Sequence, residues 1–271
     1  MLKTGIVFAC LIAAFAYGLG TFERQMVYPG DTKQLDPKAL GLQNVTEAKF
    51  ENDGAEIVLW VAPAEQNKPV ILYFHGNAGN LANRAPRFDL ITRQGFGLIA
   101  MSYRGYGGSD GKPSEKAILN DAAAIYTRID SLLPNAKPEN TVIYGESLGT
   151  GVASRLLEEH PQTQPRAVIL EAPYTSIPDV ADHHMPWTKA LAWQMRNRWS
   201  SKDHIKGLRA PLLIFHGDRD AVIPFEQGRQ IYALAGSKFK TFLEVPGAGH
   251  NDLWRNEVIE KIWRFIEKPK P

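Results

Sequence analysis

Cysteine is almost absent from this chain, because its 271 residues include only Cys10. A single cysteine excludes a disulfide within the chain and a metal site built from thiolates. An excess of one charge sign is also lacking, since 31 basic and 29 acidic residues leave a net charge of +2. Neither sign forms a long block, so nothing in the charge pattern predicts a nucleic-acid partner.

Phosphate-binding motifs are missing as well. The chain contains no G-x-G-x-x-G and no G-K-[ST] sequence, so we expect no nucleotide cofactor. His183 and His184 are adjacent and would point in different directions, and no third ligand has a fitting spacing, so we expect no metal. Any chemistry is then expected from side chains alone.

The chain does contain one long apolar run near its start. Residues Gly5–Leu19 are apolar without interruption, and Lys3 is the only charged residue before them. About 16 apolar residues fall short of the roughly 20 that span a bilayer comfortably, so the run predicts either a retained anchor or a signal segment. We assign residues 1–21 to this membrane-directed element.

The fates of this segment have different sequence signatures. Ala14–Ala16 (Ala-Phe-Ala) fits the small-x-small pattern of a signal-peptidase site, whereas lipid attachment at Cys10 has only a faint resemblance to support it. With Lys3 ahead of the run, the positive-inside rule predicts that the N-terminus stays inside and the rest is exported. We expect a membrane-associated protein whose main domain lies on the periplasmic or extracellular side.

Residues 22–271 are expected to form one α/β domain. Two alternating runs flank Asn52–Gly54 and predict an antiparallel hairpin. From the apolar run Val70–Phe74 onwards, strands and helices alternate, which favours a mostly parallel, doubly wound sheet. The further predicted strands are Gly97–Ser102, Thr141–Tyr144, Ala167–Leu170, Leu212–His216 and Thr241–Val245; the predicted helices are Asn83–Gln94, Ser114–Ser131, Leu148–Glu159, Phe225–Ala235 and Asp252–Glu267.

One insertion, at about residues 172–209, interrupts the alternation. It contains three of the six tryptophans, namely Trp187, Trp193 and Trp199. An insertion after the carboxyl end of a strand is where a short helical cap over an active site would lie. The alternative is an ordinary helical connection whose tryptophans pack on the sheet edge.

The strongest local motif is Gly145–Gly149, with the sequence Gly-Glu-Ser-Leu-Gly. It follows an apolar strand and leads directly into a helix, the context in which a G-x-S-x-G serine acts as a nucleophile. Glycines on both sides remove the Cβ atoms that would clash in so sharp a turn. The pattern predicts Ser147 as the nucleophile, with a free backbone N–H of Leu148 beside it.

A serine hydroxyl needs a base, and that base needs a group to orient it. His250 lies in a glycine-rich loop between a buried strand and the last helix, so we predict that it is the base. Two carboxylates follow an earlier strand; we favour Asp220 as the orienting acid and keep Asp218 as its alternative. The one that does not orient the histidine is expected to bind backbone N–H groups.

A second oxyanion donor is expected in the loop His75–Asn80, which follows the Val70–Phe74 strand. The N–H of Asn77 is the candidate, and His75 is interpreted as a loop-bracing residue. The next strand ends in Arg104–Gly108, a tight loop that we interpret as structural.

Together these stretches resemble the α/β-hydrolase superfamily. The resemblance rests on the order Ser147, Asp220, His250 and on five motifs between Val45 and the C-terminus. The motifs are His75–Asn80, Tyr103–Ser109, Gly145–Gly149, His216–Asp220 with Val222–Pro224, and Gly249-His250. The subgroup most similar to it is that of the Bem46-type and ABHD13/ABHD17-like serine hydrolases, many of which carry an N-terminal membrane segment.

The resemblance implies hydrolysis of a carboxylic ester or thioester through an acyl-enzyme on Ser147. We expect a small-molecule or lipid-like acyl ester as substrate, with the aromatic and Met residues of the insertion lining an apolar acyl pocket. Two alternatives remain, which are a non-catalytic membrane-tethered binding module and an acyltransferase or serine peptidase on the same fold.

Overall fold

In the part of the chain that the structure describes, one sheet of eight strands has the order β1-β2-β4-β3-β5-β6-β7-β8. The computed structural model describes residues 20–134 and 136–269. The strands are β1 (Thr46–Asn52), β2 (Ala55–Ala62), β3 (Val70–Phe74), β4 (Gly97–Met101), β5 (Thr141–Glu146), β6 (Ala167–Glu171), β7 (Leu212–Gly217) and β8 (Lys240–Val245).

The predicted hairpin and parallel sheet are both confirmed. Asp53 and Gly54 both have positive φ, 47° and 67°, as a tight Asp-Gly hairpin turn requires. Strand β2 pairs antiparallel with β1 and β4, whereas all the pairings from β4 through β3 to β8 are parallel. Strands β3 to β7 are buried along nearly their whole length, which explains their continuous apolar runs.

Helices cover both faces of the sheet. Alternate residues of β3 divide between two apolar cores, with Leu72 and Phe74 on one side and Ile71 and Tyr73 on the other. The helices are α1 (residues 20–27), α2 (Ala85–Arg93), α3 (Glu115–Thr127), α4 (Ile129–Leu132), α5 (Leu148–Glu159), α6 (Ile177–His184), α7 (Ser201–His204), α8 (Phe225–Leu234) and α9 (Asn256–Glu267). Helices α3, α5 and α8 contribute to the first core, and α2 and α9 to the second.

Four of the five predicted helices have bounds that differ from the observed ones, although α8 ends only one residue early, at Leu234. Helix α2 starts at Ala85, after a 3-10 turn, and the predicted helix Ser114–Ser131 is divided into α3 and α4. Helix α9 starts at Asn256 rather than Asp252, because the Asp252 carboxylate accepts a hydrogen bond from Gly249 N–H at 2.6 Å and belongs to the preceding loop. These shifts leave the order of elements unchanged.

The insertion at residues 172–209 consists of α6, a 3-10 stretch Pro186–Gln194, α7 and a second 3-10 turn. The three tryptophans of the insertion differ in their burial. Trp199 is completely buried and donates its indole N–H to the hydroxyl of Tyr28 at 2.9 Å, so the expectation that it lines an acyl pocket is wrong. Trp187 and Trp193 are 64% and 76% exposed, so their side chains lie largely in solvent.

The predicted membrane-directed segment, Gly5–Leu19 with Cys10, lies outside the described residues. Within the described ranges, no helix combines the length and apolar character needed to cross a bilayer.

Candidate active site

Ser147 occupies a sharp turn between β5 and α5. Its backbone has φ 49° and ψ −113°, a conformation that non-glycine residues seldom adopt. The turn is held by the Ser147 N–H, which donates to the carbonyl of Glu171 on β6 at 2.9 Å. The side chain is lifted to the carboxyl edge of the sheet, although the residue is only 7% exposed.

The glycines around Ser147 are required by packing. A Cβ on Gly145 would lie 2.6 Å from the carbonyl oxygen of Gly149, and a Cβ on Gly149 would overlap the carbonyl of Phe74. A Cβ on Gly151 would overlap the hydroxyl of Tyr174. Helix α5 can therefore start directly against β3 and β5 only with glycine at these positions.

Three side chains from separate loops meet at this edge. Nε2 of His250 lies 3.1 Å from Oγ of Ser147, and Nδ1 of His250 lies 2.7 Å from Oδ2 of Asp220. The loops follow β5, β7 and β8, whose carboxyl ends point the same way because the strands are parallel. With Nδ1 donating to the carboxylate, Nε2 is free to accept the serine proton.

Asp220 is the carboxylate that reaches His250. Its side chain has no exposed area, and Oδ1 accepts the N–H groups of Val222 and Ile223 at 2.8 Å each. Burial alone would raise the pKa of Asp220, but hydrogen bonds from His216 and His250 hold that pKa well below its usual range. The carboxylate is therefore ionised at neutral pH and able to stabilise an imidazolium.

Asp218, the alternative acid, binds elsewhere. Its Oδ1 accepts the backbone N–H of Gly247 at 2.6 Å. This bond ties the loop after β7 to the loop that carries His250. The geometry therefore brings Asp220, and not Asp218, to the histidine.

His216 begins the motif His216–Asp220 and is a neighbour of the site for which the sequence predicts no role of its own. Its Nε2 lies 3.2 Å from Oδ2 of Asp220 and 3.0 Å from the carbonyl of Ile223, so this nitrogen carries the proton. Helix α8 packs directly on the ring, where a Cβ on Gly228 would overlap Nδ1. The available sequence signals are its place in that motif and its polar side chain near the end of an otherwise apolar strand.

The two candidate oxyanion donors lie on adjoining segments. Leu148 is the first residue of α5, where backbone N–H groups have no acceptor inside the helix. Asn77 follows β3, which pairs with β5, and a Cβ on the preceding Gly76 would lie 2.9 Å from Oε1 of Glu146. Tyr106 holds the loop by donating its hydroxyl to the carbonyl of Asn77 at 2.8 Å.

His75 sits beneath that loop. It is completely buried, with its ring stacked on Tyr103 at a centroid distance of 3.9 Å and its Nδ1 2.6 Å from the carbonyl of Gly76. Burial, assisted by the positive charge of Arg84, lowers the pKa of His75 to about 3. The histidine therefore braces the loop in its neutral form.

A buried ion pair links the turn at Ser147 to the loop that follows β3, and the sequence pattern does not reveal it. Glu146, which precedes the serine, receives hydrogen bonds from Nη2 and Nε of Arg84 at 2.8 and 3.0 Å. Arg84 also donates to the carbonyls of Ala78 and Asn80 at 2.6 and 3.2 Å. Burial alone would raise the pKa of Glu146, but Arg84 and Arg87 hold it well below its usual range.

A second buried ion pair extends this network to the loop that carries His250. Arg87 donates to both oxygens of Glu171 at 2.7 and 2.8 Å. Oε2 of Glu171 also accepts the hydroxyl of Tyr144 at 2.5 Å and the indole N–H of Trp254 at 3.1 Å. The two pairs therefore connect the segments on both sides of the serine.

Arg104 lies away from this network. Its guanidinium donates to both carboxylate oxygens of Asp121 at 2.7 Å, which fits the structural interpretation of its loop. Within the described part of the chain, no group of three or more His, Cys, Asp or Glu side chains could hold a metal ion.

Comparisons with known proteins agree with this architecture. The family model described as Serine aminopeptidase, S33, matches residues 65–206. The α/β-hydrolase domain-containing protein WAV2 of Arabidopsis thaliana is 30% identical, covering 96% of this chain and 96% of WAV2. The chain belongs to the α/β-hydrolase family. The predicted resemblance to that family and to its ABHD-type members is therefore confirmed.

Two further proteins are similar to this α/β hydrolase. Lysophosphatidylserine lipase ABHD12 of Danio rerio is 30% identical over 76% of the chain, which spans 60% of the length of ABHD12. An esterase from Pyrococcus furiosus superposes with a TM-score of 0.72 at 16% identity, covering 89% of this chain and 96% of the esterase. At this identity the esterase supports the fold alone.

Proposed function

We propose that this protein hydrolyses a carboxylic ester or thioester through an acyl-enzyme on Ser147. The observation that carries the proposal is the continuous relay from Oγ of Ser147 through His250 to Asp220, with contacts of 3.1 and 2.7 Å. A relay of this order is what a serine nucleophile needs, because the hydroxyl is unreactive until a base removes its proton.

In the first half of the reaction, Nε2 of His250 takes the Ser147 proton as Oγ attacks the substrate carbonyl. The N–H groups of Asn77 and Leu148 would stabilise the negative oxygen of the tetrahedral intermediate. His250 then gives the proton to the leaving alcohol or thiol, and the acyl group remains on Oγ. Throughout, the ionised Asp220 orients the imidazole and stabilises its positive form.

In the second half, water replaces the leaving group. His250 accepts a proton from water as it attacks the acyl-enzyme, and then returns a proton to Ser147. The products are a carboxylic acid and the free enzyme, and no cofactor is needed at any step.

A lipid-like acyl ester is the substrate class we favour. The name of ABHD12, a lysophosphatidylserine lipase, supports it at the level of a relative whose length the chain covers only in part. The apolar run Gly5–Leu19 supports it as well, since we propose that this run directs the protein to a membrane and leads to export of the domain.

The test compares the wild type with Ser147→Ala. A fluorophosphonate probe should label only the wild type, and ester turnover should fall by about 10⁴ to 10⁶ in the variant. Undiminished esterase activity in Ser147→Ala would reject the nucleophile. A wild type that hydrolyses no p-nitrophenyl ester, from acetate to laurate, would favour the non-catalytic binding module.

Acyl transfer and peptide hydrolysis are separated by a second measurement on the wild type. The acyl-enzyme is offered water with added alcohols or amines, and aminoacyl amides are assayed in parallel. Preferential transfer to alcohol would reassign the protein as an acyltransferase, and faster amide than ester turnover would reassign it as a peptidase.

A further inference from the structure

Two tryptophans of the insertion are largely exposed to solvent. Trp187 and Trp193 lie in the 3-10 stretch Pro186–Gln194 and are 64% and 76% exposed. Large apolar side chains grouped on a surface mark a site of interaction with another molecule or with lipid. Tryptophan in particular is favoured at the boundary between water and lipid.

Helix α1 adds two more exposed apolar side chains next to this stretch. Phe22 and Met26 are 59% and 54% exposed, and a spacing of four places them on the same side of the helix. The carboxylate of Glu23, between them, accepts the backbone N–H groups of Arg196 and Asn197 at 3.0 and 2.7 Å. These bonds join helix α1 to the insertion. We therefore call four exposed side chains of the two segments the aromatic face, namely Phe22, Met26, Trp187 and Trp193.

The segments that carry the aromatic face are also basic. Residues 186–198 contain Lys189, Arg196 and Arg198 and no acidic residue. Residues 20–28 contain one cation, Arg24, and one carboxylate, Glu23, so the net positive charge of the two segments comes from residues 186–198. Exposed apolar side chains on a segment that also carries a net positive charge fit the interface of a bilayer with anionic headgroups.

The aromatic face is connected to the candidate active site through α6. Nε2 of His184, the last residue of that helix, lies 2.8 Å from the carbonyl of Val222. Val222 in turn donates its N–H to Asp220. Along the sequence, the apolar run Gly5–Leu19 ends immediately before the first described residue of α1.

We propose that the aromatic face rests on the surface of an anionic phospholipid bilayer and that the enzyme takes its acyl ester from that bilayer. The second part rests on the proposed esterase activity, whereas docking does not. A membrane-directed run that ends at α1 would bring the aromatic face to the lipid. Helix α6 would then connect the lipid-bound segment to the loop of Asp220, so that the candidate site is held near the bilayer.

The docking test uses the full chain in vesicles of phosphatidylcholine and phosphatidylglycerol. In a Cys10→Ser background, a single cysteine is introduced by Trp193→Cys or, as a control, by Phe239→Cys. A polarity-sensitive fluorophore is then attached to that cysteine. Phe239 is 48% exposed and precedes β8, at the opposite edge of the sheet from the candidate site. We expect a blue shift and quenching by lipid-borne nitroxides at position 193 only. Equal quenching at the two positions, or none at 193, would overturn the docking.

The role of charge is tested with the same labelled chains. Vesicles of phosphatidylcholine alone should reduce the spectral shift at position 193 at least twofold. An unchanged shift would overturn the requirement for anionic lipid.

The delivery test compares two substrates in the double variant Trp187→Ser/Trp193→Ser. We expect at least a tenfold loss of turnover on a long-chain ester embedded in vesicles and no change in kcat/KM on a water-soluble butyrate ester. The control Phe239→Ser should change neither rate. Equal effects on both substrates, or no effect on either, would overturn delivery from the bilayer. A wild type inactive on both esters would instead reject the proposed function, while the fluorophore still decides the docking.

Discussion

At the scale of single residues, the site depends on small differences in position. Asp218 and Asp220 are two residues apart in one loop, yet one carboxylate binds the N–H of Gly247 and the other binds the imidazole of His250. Oδ1 of Asp220 is fixed by two backbone N–H groups, which leaves Oδ2 aimed at the histidine. The chemical roles of the two aspartates should therefore be separable by substitution.

Asp220→Asn is expected to lower kcat for ester hydrolysis by about 10⁴, because an amide in this position no longer fixes the tautomer or stabilises the imidazolium. Asp218→Asn is the matched control, with kcat expected within about fivefold of the wild type, since its bond to a backbone N–H can be kept by the amide oxygen. The measurement is steady-state kinetics on one soluble ester. A larger loss in Asp218→Asn than in Asp220→Asn would reverse the assignment.

His75 predicts a specific dependence of stability on pH. Its pKa is lowered to about 3 in the folded protein, whereas an unfolded histidine titrates near 6.5. Between these values the unfolded chain binds more protons, so the free energy of unfolding falls as pH decreases, by up to about 1.4 kcal/mol per pH unit. Burial disfavours the charged ring, which is why the folded state resists this proton.

The measurement is urea unfolding of the wild type and of His75→Asn at pH 6.5, 5.5 and 4.5. The wild type should lose about 2 kcal/mol more than the variant over this range. The lowered pKa values of Asp220 and Glu146 act in the same direction, but only as pH falls through and below about 4, where unfolded carboxylates become protonated. Parallel stability curves for the two proteins would contradict the neutral, buried histidine.

At the scale of elements, the loops that follow β3, β5, β7 and β8 meet at one edge of the sheet and need to be held in register. The pair Arg84–Glu146 does this for two of them, because Arg84 binds both the residue before Ser147 and the carbonyl of Ala78 in the loop that follows β3. We therefore expect the pair to affect catalysis by positioning these two loops, without touching the reacting atoms.

Arg84→Met should therefore lower kcat by about 10- to 100-fold with KM changed little, since a donor displaced by about 1 Å already weakens oxyanion stabilisation. The matched control is Arg104→Met, which breaks a similarly buried pair with Asp121 away from the site. Both variants should lose about 3 to 5 kcal/mol of stability. Equal losses of kcat in the two folded variants would show that Arg84 has only a structural role.

Much of the element order could be predicted because its signals are local. The Asp53-Gly54 turn specifies the hairpin, and the helix predicted at Leu148–Glu159 has the bounds observed for α5. The arrangement of the candidate triad also followed from the rule that the carboxyl ends of parallel strands share one edge.

Contacts between distant elements could not be predicted in the same way. Arg84 and Glu146 are 62 residues apart, and neither lies in a motif that names the other as its partner. Trp199 looked like its two neighbours in the insertion, but its indole is buried against Tyr28, 171 residues away. Such pairings are decided by which loops the sheet brings together, which hydrophobic periodicity does not encode.

At the scale of the whole molecule, three features are connected in series, from the candidate site to the N-terminal apolar run. The candidate site lies at the carboxyl edge of the sheet, α6 connects that edge to the aromatic face, and the apolar run Gly5–Leu19 precedes helix α1 of that face. If the enzyme acts on lipid after export, the apolar run must carry the domain across a membrane. The orientation of the full chain is therefore the property that tests the arrangement as a whole.

With Lys3 before the run, the domain should be exported when the full chain is produced in a bacterial host. Alkaline phosphatase fused after Pro271 should be active, because that enzyme forms its disulfides only in an oxidising compartment. The same fusion to residues 20–271 should be inactive, and a green fluorescent protein fusion should show the opposite pattern.

The mass of the exported chain then separates the two fates of the segment. Cleavage after Ala14–Ala16 would leave a product that begins at Tyr17 and is released on washing, whereas a retained anchor would keep the full mass in the membrane fraction. Released product would make the aromatic face the main contact with lipid, and Trp187→Ser/Trp193→Ser should then abolish vesicle binding. If the anchor is retained, that variant should lose turnover but stay bound to vesicles, because the apolar run alone would hold the protein at the membrane. An inactive phosphatase with a fluorescent green fusion would reverse the orientation and would contradict an exported enzyme.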